Sequence, residues 1–127
     1  MNPGDRIRMK RRDGDRCLSC QRTDTLTLQH RRSRGMGGSK IPLTPADVCT
    51  LCLDCNTRAE ADLQGKSLRH GWKVRRWAAA TTVPVYDAAA KAWFLLGPEW
   101  DRTEIAEAGA LELVALAGGI SGDGTVY

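Results

Sequence analysis

Two Cys-x-x-Cys pairs carry the clearest chemistry in this sequence. Cys17 and Cys20 form the first pair, and Cys52 and Cys55 form the second, 31 residues further along the chain. Four thiolates in two such pairs match a closed tetrahedral structural zinc site. Cys49 and Cys52 have the same spacing, but Cys49 lies within a predicted strand that would bury it. We therefore predict zinc on the two separate pairs; five free buried thiols are the alternative.

His30, one of two histidines in the chain, lies between the two pairs. Imidazole titrates close to neutral pH, so it can accept a proton from water at pH 7. Arginines follow at positions 31, 32 and 34, and glycines at 35, 37 and 38. A zinc site around such a segment suggests metal-assisted cleavage of nucleic acid, whereas a lone histidine is usually an ordinary surface or core residue.

The positive charge of the chain is concentrated around His30. Residues 1–40 contain eleven Lys and Arg against four Asp and Glu, residues 41–76 contain six against four, and residues 77–127 contain two against seven. This distribution favours a polyanionic partner such as DNA or RNA, with a solvated basic tail as the alternative.

The composition predicts one small cytoplasmic domain. At 127 residues and 13.9 kDa, with 6% aromatic residues, the chain can bury only a modest core, which a metal ion would reinforce. No apolar run approaches the roughly 20 residues of a membrane span, and the N-terminal residues lack an apolar signal segment. In the cytoplasm disulfides are disfavoured, so the paired cysteines are better explained as metal ligands.

A β-hairpin is predicted to position His30. Residues 25–28 alternate and are rich in β-formers, so a strand should run into His30, and residues 48–51 should return after a glycine- and proline-marked loop. Residues 56–70 are predicted to be mainly helical. Residues 1–16 are polar and basic, and should form a short helix or a disordered arm that builds no core.

The remaining segments predict an extension of this unit. Strands are expected at 72–76, 83–86 and 91–96, and an amphipathic helix at 102–117. The predicted organisation is a basic arm at 1–16, a zinc-bound core at 17–76, a hairpin-plus-helix extension at 77–117 and a flexible tail at 118–127.

The chain resembles the HNH endonucleases, in particular the small zinc-containing type encoded by bacteriophages. The matching motifs are Cys17-x-x-Cys20, Leu28-Gln29-His30-Arg31, Arg34-Gly35-Met36-Gly37-Gly38-Ser39 and Asp47-Val48-Cys49-Thr50-Leu51-Cys52-x-x-Cys55-Asn56. The similarity continues in Gly71-Trp72-Lys73 and Val83-Pro84-Val85-Tyr86. The resemblance implies an α+β fold class: a small zinc-stapled ββα-metal domain with an additional β-hairpin and a C-terminal helix.

The resemblance also implies catalytic roles. His30 falls on the first family histidine, the general base that activates water. Asp47 falls on the central asparagine, which fixes the loop and helps orient the base, although a carboxylate cannot donate as an amide does; an ordinary turn residue is the alternative. Asn56 falls on the last histidine and would bind a catalytic Mg²⁺ or Mn²⁺ through its amide oxygen.

Further ligands and phosphate contacts are implied around these residues. Glu60, one helical turn after Asn56, could add a carboxylate to the catalytic ion, or could be a solvated helix residue. Gln29, a weaker neutral ligand, occupies a position where relatives carry Asp or His. The implied nucleic-acid-binding residues are Arg31, Arg32, Arg34 and Lys40. Because strand alternation places Arg31 opposite His30, a structural role for Arg31 is equally open.

The expected function is metal-dependent nicking of DNA phosphodiester bonds, in the host cytoplasm if the protein is phage-encoded. The family implies phage terminase or other packaging proteins as further partners, and no membrane. The alternatives are a zinc-ribbon module that binds nucleic acid without cutting it and an inactive adaptor descended from a nuclease.

Overall fold

The computed structural model describes residues 1–32 and 42–118. These residues form an α+β fold with two small antiparallel sheets and four α-helices, which confirms the α+β class, while the ββα-metal fold stays a prediction. The predicted glycine loop at 35–38 and the tail after residue 118 lie outside the described residues. None of the helices within the described ranges is long and apolar enough to cross a membrane.

The predicted hairpin is confirmed. Strand β1 (Leu26–His30) pairs antiparallel with β2 (Val48–Cys52), so that Leu26 lies opposite Cys52 and His30 lies opposite Val48. Strand alternation gives the hairpin two faces, with Leu28 and His30 on one and Gln29 on the other. Helix α2 (Leu53–Arg58) follows β2 without a loop, and the Cys52 sulfur caps its first turn.

Residues 3–12 form helix α1 (Pro3–Arg12), which packs on the His30 face of the hairpin. The Asn2 side chain accepts a hydrogen bond from the Asp5 N–H and so caps the helix. Met9 is fully buried in a cluster with Leu28 and Val48. The expectation that residues 1–16 build no core is therefore wrong.

A buried ion pair fixes α1 to the hairpin. The Arg12 guanidinium binds the Asp13 carboxylate at 2.8 Å and also donates to the carbonyls of Pro45 and Val48. Asp13 in turn accepts from the Thr50 N–H at 2.9 Å. Removing an ion pair from water is costly, and additional hydrogen bonds to its remaining donors and acceptors offset that cost. These hydrogen bonds are present here, so the buried pair can hold α1 against the hairpin.

The helix predicted at 56–70 is interrupted. The Arg58 carbonyl accepts hydrogen bonds from the N–H groups of both Ala61 and Leu63, which closes a turn and ends α2. A separate helix, α3 (Gln64–Arg69), follows.

The second sheet has the order β3 (Val85–Asp87), β4 (Ala92–Leu96) and β5 (Arg102–Ile105), followed by α4 (Glu107–Leu116).

The predicted strand at 72–76 is wrong, since only Val74 makes an isolated bridge, to Arg32. The predicted helix at 102–117 is wrong in its first four residues. There the Arg102 guanidinium pairs with Asp87 at 2.8 Å and covers the Phe94 ring, which favours a strand beside β4.

Arg31 joins the hairpin to the rest of the fold. Its side chain is fully buried, and its guanidinium donates to four carbonyls from three segments of the chain, those of Gly71, Ala46, Ala80 and Val83. Burial lowers the pKa of Arg31 to about 10, so it remains charged at neutral pH. The planar fork of arginine can serve this many acceptors at once, whereas an ammonium cannot match its geometry.

Replacement of Arg31 by lysine should destabilise the fold by about 3 kcal/mol, because carbonyls are left without donors around a buried charge. Urea unfolding of Arg31→Lys measures this loss. Arg32→Lys, at the adjacent half-exposed position, is the matched control and should change the free energy of unfolding little. Equal stability of the two variants would contradict the role given to Arg31.

Candidate metal centre and active site

The four predicted cysteines meet at one end of the hairpin. Cys17 and Cys20 lie in the turn after α1, Cys52 ends β2, and Cys55 lies in the first turn of α2. Their sulfur atoms all lie within 4.8 Å of one another. The cluster therefore joins the segment before β1 to the junction of β2 and α2.

The geometry of this cluster fits a zinc ion. Tetrahedral Zn–S bonds of about 2.3 Å would place the sulfurs about 3.8 Å apart, and the sulfurs of Cys20 and Cys52 are 3.6 Å apart. Cys49 lies outside the cluster, fully buried, with its sulfur 4.0 Å from the Trp72 carbonyl oxygen. The preference for Cys55 over Cys49 is confirmed, and the four cysteines could hold a metal such as zinc.

The thiols of the cluster differ in acidity. Burial raises the pKa of Cys17 and of Cys55. At the exposed Cys20 the effect of burial is outweighed by hydrogen bonds from the Arg22 backbone and the neighbouring thiols, so the pKa of Cys20 is lowered. A bound metal ion would displace the remaining protons, since only thiolates are ligands.

His30 is the last residue of β1, and it is exposed. It lies opposite Val48, whose carbonyl accepts from Arg12, so the C-terminal end of α1 is close to this end of the hairpin. The imidazole is thus at the surface, on a strand whose other end is tied to the cysteine cluster.

Gln29 does not share this position, and its predicted role as a ligand beside His30 is wrong. Its side chain is buried on the opposite face of the strand, where Nε2 donates to the Trp72 carbonyl at 3.1 Å. The reason is the two-residue alternation of a strand, which directs neighbouring side chains to opposite faces.

The Asp47 carboxylate belongs to a short 3₁₀ turn (Pro45–Asp47) directly before β2. Its Oδ2 atom accepts hydrogen bonds from the backbone N–H of Thr44 at 2.8 Å and from the Thr44 hydroxyl at 2.9 Å. Its Oδ1 atom lies 3.9 Å from Arg32 Nε. These contacts fit the alternative that Asp47 is an ordinary turn residue. The turn fixes the start of β2, which lies opposite His30 at the end of β1.

Asn56, on α2, reaches the outer edge of β1. Its Nδ2 atom donates to Thr27 Oγ1 at 2.9 Å and to the Leu28 carbonyl at 3.2 Å. Because the amide nitrogen carries both bonds, the amide oxygen is the ligand atom that remains. Leu28 is two residues, or about 7 Å, from His30 along the strand.

The Glu60 carboxylate is bound to another part of the chain. Helix α2 ends at Arg58, and the Glu60 carboxylate forms an ion pair with the Lys73 ammonium. Because Gln29 and Glu60 both bind other groups, the described residues do not support the predicted ligand set for Mg²⁺ or Mn²⁺.

The predicted phosphate-binding residues have different outcomes. Arg31 is buried with its donors on backbone carbonyls, so its assignment to nucleic acid is wrong. The Arg32 side chain is 38% exposed and donates to the Arg76 carbonyl at 3.4 Å. Arg34 and Lys40 lie outside the described residues.

The second histidine, His70, has a structural role. Its ring stacks on Trp72 at 4.7 Å between ring centres, and its Nδ1 atom lies 2.7 Å from the Lys66 carbonyl oxygen. Burial lowers the pKa of His70.

Helix α1 lies against the His30 face of the hairpin, a placement that was not predicted from the sequence. The available signal was an N-cap followed by proline at residues 2 and 3, with Met9 and Arg12 one turn apart on one face. The exposed residues of this helix include Arg6 and Arg11. They give the His30 side of the hairpin a basic neighbour.

Comparisons of the chain with known protein families, with curated proteins and with solved structures find no match.

The purified protein should contain about one zinc ion per chain, since one four-thiolate cluster is present. Cys55→Ser should lose most of this zinc and unfold at a lower temperature, whereas Cys49→Ser should keep it. Elemental analysis after gel filtration measures the metal content. Equal zinc content in the two variants, or none in the unaltered protein, would contradict the assignment.

Proposed function

We propose that this chain is an HNH-type endonuclease that hydrolyses DNA phosphodiester bonds and nicks duplex DNA. The observation that carries the proposal is the exposed imidazole of His30 at the end of a strand held by the cysteine cluster and by Arg31. The order β1, β2, α2, with Asn56 reaching back to β1, also supports the resemblance to the ββα-metal fold. Zinc on the four cysteines would be structural.

The proposed chemistry uses His30 as a general base. The imidazole takes a proton from a water molecule, and the oxygen of that water attacks the phosphorus atom. The bond between phosphorus and the 3′ oxygen breaks, leaving a 5′-phosphate and a 3′-hydroxyl that gains a proton from solvent. Arg32, half-exposed and two residues from His30, would offset negative charge at the phosphate.

Helix α1 supports DNA as the substrate. It packs on the same hairpin face as His30, and Arg6 and Arg11 lie on its exposed surface. Arginines there would bind phosphates and position the duplex without reading its sequence. The acidic balance of residues 77–127 makes that part of the chain a poor DNA contact.

A catalytic Mg²⁺ or Mn²⁺ is part of the proposal only through the resemblance. These ions prefer oxygen ligands, with Mg²⁺ usually bound through one or two carboxylates. Of the proposed protein ligands, Gln29 and Glu60 bind other groups of the chain, and the Asn56 nitrogen binds β1, so we assign no step to such an ion. The bacteriophage origin and the packaging partners rest on the resemblance in the same way.

A second candidate is a non-catalytic zinc-dependent module that binds nucleic acid or acts as an adaptor. The engagement of Gln29 with Trp72 and of Glu60 with Lys73 favours it, since both side chains already bind groups of the protein instead of a catalytic ion. Such a module would need the cysteines and the arginines but not His30.

Zinc-loaded protein should convert supercoiled plasmid to the nicked form, and His30→Ala should lower that rate about a hundredfold or more. Parallel reactions with Mg²⁺, Mn²⁺ and EDTA measure the need for a divalent ion. Glu104→Gln, an exposed change on β5, is the control and should cut normally. Equal cutting by His30→Ala and the control would contradict the base assignment. A protein that binds DNA without cutting it would favour the second candidate.

Replacing both Arg6 and Arg11 by glutamine should weaken DNA binding equally for all sequences. The slope of log affinity against log salt should fall by about 2, one unit for each lost phosphate contact. Fluorescence anisotropy over a range of salt concentrations measures the slope. The control is Arg58→Gln, whose guanidinium is already paired with Asp54 and Asp62. An unchanged slope in the double variant would remove α1 from the interface.

A further inference from the structure

The fold buries one side of helix α4, although the helix is apolar on other sides as well. Ala110 and Val114 are buried in a cluster with Val74 and Trp93. The remaining surface of the helix has only two charged residues, Glu107 and Glu112, and it exposes leucines and alanines. A helix without a polar face is normally buried on all sides. In the described part of the chain, one apolar side of α4 is instead exposed.

An open groove lies beside this face. It encloses about 320 Å³ between α4 and the segment around the short 3₁₀ helix at Ala80–Thr82, and its walls include Trp77, Leu113 and Leu116. Trp77 is 70% exposed and Leu116 is 71% exposed. Large apolar side chains exposed together mark an interaction surface, whereas single ones need no explanation. We call this surface the α4 face, and it comprises Trp77, Leu113 and Leu116.

Opposite charges border the α4 face. Arg76 precedes Trp77 and is exposed, while Glu112 lies one helical turn before Leu116 and is also exposed. Within residues 1–32 and 42–118, neither side chain takes part in an ion pair. A surface with an apolar centre and one charge of each sign at its border is complementary to itself under the two-fold rotation that places the unlike charges opposite one another.

We infer that a second copy of this chain binds the α4 face and forms a symmetric dimer. The apolar centres of the two copies meet, and Glu112 of each copy lies opposite Arg76 of the other. DNA does not fit this surface, because the centre is apolar and residues 77–127 are acidic overall. The inference does not depend on the proposed nuclease function.

The size of the surface predicts a weak, concentration-dependent dimer. Helix α4 has ten residues and is about 15 Å long, so the contact falls at the low end of specific interfaces. Helix α4 packs on the cluster of Val74 and Trp93 through Ala110 and Val114, which leaves the α4 face on its outer side.

Sedimentation velocity over a wide concentration range tests the dimer. The unaltered chain should change from monomer to dimer as its concentration rises, and Leu116→Lys should raise the dissociation constant at least tenfold. Ile7→Lys, which places the same charge on an exposed apolar position of α1, should dimerise normally. A chain that stays monomeric throughout, which would leave the face to a different protein, overturns the inference. Normal dimerisation of Leu116→Lys also overturns it.

Charge reversal identifies the second copy as the occupant. Glu112→Arg and Arg76→Glu should each weaken self-association, because each places like charges opposite one another. An equimolar mixture of the two variants should recover dimers, because every opposed pair in the mixed dimer then has opposite charges. A mixture that associates no more strongly than either variant alone would overturn the proposed register.

Discussion

The buried guanidinium of Arg31 is the contact on which the presentation of His30 depends. An arginine enclosed by protein is tolerated only when its donors are satisfied, and here four carbonyls from three chain segments satisfy them. Because neighbouring residues at a strand end face opposite ways, directing Arg31 inward directs His30 outward. The same contacts hold the segments near Ala46, Gly71 and Ala80 around the end of the hairpin. The buried charge of Arg31 therefore determines that His30 is the side chain exposed at this strand end.

The hairpin is held at both ends by different chemistry. At one end, four cysteine sulfurs lie close enough to hold a metal such as zinc, which would join the turn before β1 to the start of α2. At the other end, Arg31 enters the interior, and the Arg12–Asp13 pair fixes α1 across one face. Between these anchors, Asn56 binds the edge of β1. This rigidity is what a general base at His30 requires, since a base must stay within hydrogen-bond reach of its water.

Local patterns predicted part of this arrangement, and long-range contacts decided the rest. The hairpin and the exclusion of Cys49 followed from alternation, which depends on neighbours in sequence. Burial of Arg12 could not be read in this way, since a basic run is ordinarily solvated and its carbonyl acceptors at Pro45 and Val48 are distant in sequence. For Arg31, alternation left a structural role open, but it could not identify the four carbonyls that the guanidinium binds. Likewise, the apolar spacing of the C-terminal segment included residues 102–105 in the predicted helix, but Arg102 contacts Asp87 and Phe94 from a strand. Gln29 was misplaced because the family position was given more weight than the alternation.

Chemical rescue tests the role of His30 most directly. The position is exposed, so free imidazole can reach the space left in His30→Gly and accept the proton in place of the lost side chain. We predict that added imidazole restores plasmid nicking to His30→Gly in a concentration-dependent manner and leaves the unaltered protein unchanged. Two results would contradict the assignment of His30 as the base. In the first, His30→Gly nicks as fast as the unaltered protein without imidazole; in the second, the unaltered protein cuts but imidazole does not restore cutting to His30→Gly.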